Sequence, residues 1–393
     1  MVLAIVADLL ACAGVLACFL GLVSVRRFAR STPPERGDRL PLAPVTVLKP
    51  LCGDEPLLEQ GLESCFTQAY PEFQIVFGVH HAADPALAVV EKLRRRFPGR
   101  DVEVVIDATL HGSNRKLSNL INMLPFAKHD ILVISDSDLH LSPDYLQILV
   151  AELAKPDTGL VTALSVARPP VREGWERALG ATQINHTFLP GVLLSRALGR
   201  QDCLGSTAMF RRETLQRIGG FHPLVHVLAE DNVLGQRIRK LGLSITLADT
   251  VPTAIMPEAD LPSVWQHELR WTRTVRELAP VLLCASTIQH PLFWSCLAMI
   301  LSGGAPWSAG VFLGCWAARV AAAHGIDRTL RNYPALPAFA TPFWVLPLRD
   351  LLSVAEIGAS FLTDQVVWRG QKMPANGVLI VPVPGGGGIG DQT

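Results

Sequence analysis

Two carboxylates stand one residue apart at the end of the stretch His129-Asp-Ile-Leu-Val-Ile-Ser-Asp-Ser-Asp138. The apolar run Ile131 to Ile134 reads as a strand buried on both faces, the pattern of a parallel sheet with helices above and below. Asp136 and Asp138 then project from its carboxyl end, which in open α/β sheets is where ligands bind. Two carboxylates in that place suit a hard divalent cation that arrives carrying phosphate oxygens. An isolated Asp-Ser-Asp is also an ordinary solvated turn, so the reading depends on the elements around it.

Those elements alternate. Val45 to Leu48, Gln74 to Val79 and Val102 to Ile106 read as strands. Glu55 to Gln68, Pro85 to Phe97 and Lys116 to Leu124 carry helical spacing between them. The alternation predicts an α/β fold with a doubly wound sheet. That sheet would be parallel over the first half, while from Leu160 to about Pro257 strand and helix signals mix. In that half Leu228-Ala-Glu-Asp-Asn232 opens the helical run Val233 to Leu241, and Gln266-His-Glu-Leu-Arg-Trp271 lies in a helix over Pro262 to Leu278. No GxGxxG or GxxxxGK[ST] follows a strand, which argues against dinucleotide-binding and P-loop folds.

The 35 basic and 35 acidic residues balance, so nothing points to a nucleic-acid partner. The eight cysteines form no CxxC pair or metal-ligand spacing, and read as small buried hydrophobes. The histidines show no Cys/His spacing for zinc, and structural or surface roles are expected of them. A mean hydropathy of +0.30 reflects apolar ends. Val2 to Val25 holds one charge, Asp8, and is followed at once by Arg26, Arg27 and Arg30. Positive charge after the apolar run marks a retained anchor with its following chain cytoplasmic. Between Val281 and Ala318 there is no Asp, Glu, Lys or Arg, and Ser302-Gly-Gly-Ala-Pro306 divides this run. It reads as a hairpin of two membrane segments that returns Arg319, Arg328 and Arg331 to the cytoplasm. The resulting division is anchor 1–25, linker 26–44, catalytic domain 45–260, interfacial helix 261–280, membrane hairpin 281–323, an apolar span or re-entrant segment 324–365, and a tail 366–393.

Six motifs now stand in order: Leu48-Lys-Pro-Leu51, Ala83-Asp-Pro85, Asn114-x-Lys-x-x-Asn-Leu120, Asp136-Ser-Asp138, Ala229-Glu-Asp231 and the QxxRW of Gln266 to Trp271. Together they resemble the ceramide glucosyltransferase family, membrane-bound inverting transferases of the GT-A (nucleotide-diphospho-sugar) fold, and the resemblance implies a doubly wound mixed sheet. The wording Ser118-Asn-Leu-Ile-Asn-Met123 and His267-Glu-Leu-Arg-Trp271 is similar to that of the bacterial hopanoid-biosynthesis branch. The resemblance implies that Asp84 contacts the uracil or ribose, that Asp136 and Asp138 hold the nucleotide and its metal, and that Asp231 is the catalytic base. It also implies that Gln266, Arg270 and Trp271 close over donor and acceptor. Animal members tend to carry Asp-Ser-Gly where this chain has Asp136-Ser-Asp138, so the second carboxylate favours direct metal ligation by Asp138.

Inverting transfer from a UDP-sugar needs charge on the leaving diphosphate neutralised, the acceptor hydroxyl deprotonated and the two aligned. Mg²⁺ or Mn²⁺ on Asp138 would serve the first need, with Arg270 and Lys116 adding positive charge. Asp231 would serve the second; Glu230 competes for the role, and an N-cap is the structural alternative for Asp231. The implied acceptor is a lipid at the inner leaflet of the plasma membrane, a hopanoid polyol or ceramide, and the sugar N-acetylglucosamine or glucose. A processive polysaccharide synthase shares these motifs but needs more spans, and a non-catalytic scaffold has no need of four carboxylates at sheet ends.

Overall fold

The computed structural model describes residues 1–30, 42–170, 174–331, 340–368 and 371–374. The expected linker over 26–44 lies largely outside these residues, as does the expected tail (366–393) beyond residue 374, while at its start Gln365–Trp368 pairs with Gln371–Pro374 as two antiparallel strands. Helix α1 (Val2–Phe28) leads into β1 (Val45–Pro50), α2 (Leu58–Phe66), β2 (Phe73–Val79), α3 (Ala86–Arg96), β3 (Asp101–Ile106), α4 (Arg115–Met123) and β4 (Ile131–Ser135). Next come β5 (Leu139–His140), α5 (Tyr145–Leu153), β6 (Thr158–Thr162), β7 (Val166–Arg168), α6 (Trp175–Gln183), α7 (Leu189–Ala197) and β8 (Thr207–Arg211). The chain continues through α8 (Arg212–Arg217), α9 (Glu230–Lys240), β9 (Ser244–Leu247), β10 (Thr253–Ile255) and α10 (Leu261–Leu278). It closes with α11 (Pro280–Ala285), α12 (Pro291–Leu301), α13 (Pro306–Leu330) and α14 (Val345–Ser360).

Seven strands form one sheet in the order β3-β2-β1-β4-β8-β6-β9. The first four are parallel, β8 runs antiparallel to both β4 and β6, and β9 is parallel to β6. Alternation along each strand explains the two cores. Val133, Ile75 and Met209 enter one cluster, while Leu132, Ile134, Val76 and Phe210 enter the other, so both faces are covered. The direction of strand addition reverses between β1 and β4. That reversal is a switch point, where an open sheet leaves a crevice at its carboxyl edge. A smaller sheet, β5-β10-β7, continues directly from the Asp136–Asp138 turn.

Among the described residues two helices, α1 and α13, are long and apolar enough to cross a membrane. Small residues line the buried face of α1: Ala4, Ala7, Ala11, Gly14 and Gly21 lie three, four or seven apart, which lets neighbouring helices approach closely. At Gly14 an added Cβ would lie 3.2 Å from Pro291. The ends of α1 and α13 join the sheet-bearing part of the chain in one apolar cluster of Leu22, Val25, Ile326 and Leu330 with Leu164, Val166, Leu189 and Val251.

The charge-free run departs from the hairpin expected over 281–323. Its first arm is broken: residues Pro280–Gln289 and Pro291–Leu301 meet at 74°. Pro291 is the cause, because the residue before a proline is driven out of helical geometry, and His290 sits at φ −109, ψ 71. The second arm does not end before Arg319. That residue lies midway along α13, 1% exposed, with its Nε 3.6 Å from Asp350 Oδ1 on α14. A buried arginine is tolerated there because α14 brings the opposite charge to it.

Candidate active site

The two halves of the sheet meet at the carboxyl ends of β1 and β4, and Lys116, Asp136, Glu230 and Asp231 gather at that crevice. Lys116, in the first turn of α4, is the hub. Asn114 caps this helix, its Oδ1 accepting from Leu117 N at 3.1 Å, and its Nδ2 donates to Val227 O at 3.0 Å. One residue thereby pins α4 to the loop that precedes α9. Lys116 Nζ lies 2.6 Å from Asp136 Oδ1 and 3.6 Å from Glu230 Oε1. Burial opposes the lysine's charge, but Asp136, Glu230 and Asp231 outweigh it and hold the ammonium well above the ordinary lysine range.

Asp231 occupies the first turn of α9 and does not cap it; Ala229 stands at the cap and provides no side-chain bond. Its carboxylate packs on Gly205, where an added Cβ would lie 2.7 Å from Asp231 Oδ2 and the backbone φ is +73. Both the conformation and the space restrict position 205 to glycine. Burial and the neighbouring Glu230 push the Asp231 carboxyl up to about 7, against the pull of the Asn232 N–H and Lys116. A group poised near neutrality is suited to taking a proton.

Asp138 follows the same pattern at the turn after β4. Burial, Asp136 and Glu55 raise it to about 7, opposed by Lys49. Lys49 is fully buried at the end of β1, donating to Ser135 Oγ at 3.1 Å and to the Asp136 carbonyl at 2.5 Å. It therefore braces the backbone of the Asp-Ser-Asp turn. Among the described residues no group of three or more His, Cys, Asp or Glu side chains forms a complete metal site. Asp136 and Asp138 nevertheless fit a divalent cation that brings most of its ligands as phosphate and water, and such a charge would relieve the repulsion between them.

Asp84 lies on the loop after β2, and its carboxylate is taken up by backbone. Gly53 N donates to Oδ1 at 3.0 Å and to Oδ2 at 3.1 Å, and Ala86 N donates to Oδ1 at 3.0 Å. Asp84 thus holds the loop after β1 against the start of α3. Gln266, Arg270 and Trp271 stand on α10, whose start is fixed by a capping box between Asp260 and Ser263. Gln266 is exposed, and Trp271 packs against the core cluster that contains Leu139 and Met256. The Arg270 guanidinium carbon sits 6.0 Å from the Trp271 ring centre. The helix is tied to the Asp-Ser-Asp turn through β10: Ile255 N donates to the Asp138 carbonyl at 3.3 Å, and Glu258, just beyond, binds His267. The His267 and Trp271 ring centres lie 4.2 Å apart with the planes tilted by 57°.

Asp136, Lys116 and Asp231, expected from sequence, are brought together, with Asp138 on the same turn. Lys49 and His267 stand inside motifs quoted above but carry no assigned role there, and Gly205, Glu55 and Glu258 stand outside them. Lys49 has a local signal as well, the one charge in the strand Val45-Thr-Val-Leu-Lys-Pro50.

A switch-point crevice with paired acidic motifs on a mixed sheet defines a GT-A type fold, and the structural comparison agrees. A mannosyltransferase from Pyrobaculum calidifontis, solved with GDP-Man and Mn²⁺, superposes with a TM-score of 0.54 at 20% identity, covering 92% of this chain and 99% of that one. The profile of glycosyl transferase family 21 matches residues 6–377, so the chain belongs to that family. Ceramide glucosyltransferase 1 of Caenorhabditis elegans is 24% identical over 246 residues, 62% of this chain and 52% of the relative. The ceramide glucosyltransferase of Candida albicans is 32% identical over 132 residues, 30% of this chain and 24% of the relative. The match spans about half the length of the nematode relative or less.

Proposed function

We propose that this chain is a membrane-bound inverting glycosyltransferase that moves a hexose from a UDP-sugar to the hydroxyl of a membrane lipid. The observation that carries the reading is the convergence of Asp136, Glu230 and Asp231 on Lys116, because it joins the donor-side and acceptor-side motifs across one crevice. Asp136 and Asp138 receive the nucleotide diphosphate, with Asp138 as the ligand for a divalent cation, Mg²⁺ or Mn²⁺. When bound there, that cation supplies positive charge to the leaving group. Lys116 and Arg270 add to it. Asp231 takes the proton from the acceptor hydroxyl as that oxygen attacks the anomeric carbon from the face opposite the diphosphate. Gln266 and Trp271 close over the sugar, and Asp84, bound by Gly53 N and Ala86 N, belongs to the loops that meet the uracil or ribose.

The anchoring of α1 and α13 in the catalytic domain supports delivery of the acceptor from the bilayer. The arginines after α1 favour the cytoplasmic face of the plasma membrane. The relatives named ceramide glucosyltransferases support choosing glucose and a ceramide-type acceptor before N-acetylglucosamine and a hopanoid polyol, the reverse of the order that motif wording alone suggests. Asp138→Ala is expected to remove the response of sugar transfer to added Mn²⁺. A variant that keeps metal-dependent transfer would take Asp138 out of this role.

A further inference from the structure

Helix α10 carries Gln266, Arg270 and Trp271, yet a helix can present those side chains only if its rotation about its own axis is fixed. Each residue turns about 100°, so Gln266 and Arg270 share a face while Glu268, between them, points away. Glu268 is 3% exposed. Its Oε2 lies 2.7 Å from Nη1 of Arg349, a fully buried residue of α14. The same guanidinium donates through Nη2 to Glu356 Oε2 at 3.1 Å, through Nε to Ser353 Oγ at 3.1 Å and through Nη1 to the Leu179 carbonyl at 3.4 Å. Ser353 passes the link on to Gln183 Oε1 at 3.2 Å. One planar fork therefore ties α10, α14 and α6 together, with geometry that a lysine cannot reproduce. Around it Leu261 and Val264 of α10 pack with Leu179, Val345, Leu348 and Leu352. Two turns on, Arg276 of α10 reaches the Ser360 carbonyl at the end of α14 and Asp364, the latter at 2.6 Å.

We infer that Arg349 is a positioning residue for sugar transfer: by holding Glu268 it sets the rotation of α10 and so aims Gln266 and Arg270 at the crevice. This makes α14, which follows all the candidate membrane segments, part of the catalytic apparatus. The inference rests on the proposed transferase activity.

The test compares the parent chain with Arg349→Lys and with the triple variant Arg349→Met/Glu268→Gln/Glu356→Gln, which leaves no unpaired buried charge in the cluster. Thermal midpoint and the kcat and KM of sugar transfer from UDP-glucose are measured for each in detergent. Arg349→Lys is expected to keep a midpoint near that of the parent and lose about tenfold in kcat with the donor KM changed less than threefold, the signature of lost transition-state alignment. The triple variant is expected to remain at least tenfold slow even with its midpoint restored. Parent-like kcat in Arg349→Lys, or activity that recovers in step with stability in the triple variant, would overturn the inference. Absence of transfer by the parent chain would instead refute the transferase reading itself.

Discussion

At the carboxyl edge of the sheet, Asp136, Glu230 and Asp231 share one lysine, Lys116. On the membrane side, Arg349, Arg319 and His186 each face a carboxylate brought from another element: Glu268, Asp350 and Asp327. The first region is short of positive charge, and its Asp138 and Asp231 are pushed up toward neutrality. In the second every one of these basic side chains meets at least one carboxylate, Arg349 meeting both Glu268 and Glu356, and the groups are sealed from solvent. An excess of carboxylates around a crevice is costly unless a cationic ligand arrives, whereas matched buried pairs hold helices in place. The contrast separates groups kept for chemistry from groups kept for geometry.

The comparison can be broken most severely at Asp231. Asp231→Asn is expected to lower kcat by about 10²- to 10⁴-fold with donor affinity retained, while Glu230→Gln loses far less; turnover and UDP binding measured for both variants decide between them. If only the Glu230 variant loses turnover, the base assignment reverses. On the membrane side, Arg319→Leu leaves Asp350 with His290 and the Leu292 N–H and is expected to cost about 3–5 kcal/mol, read by thermal unfolding in detergent. The double variant Arg319→Leu/Asp350→Leu is expected to recover most of that loss, as a purely structural pair should. Lys116→Met, which removes the shared cation, is expected to reduce kcat/KM by about 10²-fold without a matching loss of stability.

The finest discrimination comes from pH. Asp231 must be ionised to accept a proton and its carboxyl is held at about 7, so kcat should rise with pH below neutrality and level off above it. Removing the like charge with Glu230→Gln lowers that inflexion, and removing Lys116 raises it. An inflexion that neither change moves would detach the pH profile from Asp231.

The catalytic half was legible because its strands are buried on both faces. Ile131 to Ile134 and the strands beside it carry the continuous apolar runs that only a covered sheet needs, and the switch point then places Asp136 and Asp138. The membrane half was less so. Charge counting along the chain returned Arg319 to the cytoplasm, because its neutralising partner Asp350 lies on a later helix and enters only through tertiary packing. Pro291 did carry a local signal for the bend at His290, but within a run without charges the hydropathy dominated the reading. Arg349 and Glu268 could not be joined from sequence, since nothing local says that α14 runs beside α10.

One measurement bears on the centre of the account. Detergent-solubilised chain is incubated with Mn²⁺, UDP-glucose or UDP-N-acetylglucosamine, and either ceramide or a hopanoid polyol, and the lipid product is identified by mass beside Asp231→Asn. A hexose-bearing lipid formed by the parent and lost in Asp231→Asn is the predicted result. No sugar-bearing lipid from any pairing, or equal product from the variant, would contradict the proposal that the carboxylates around Lys116 carry out glycosyl transfer.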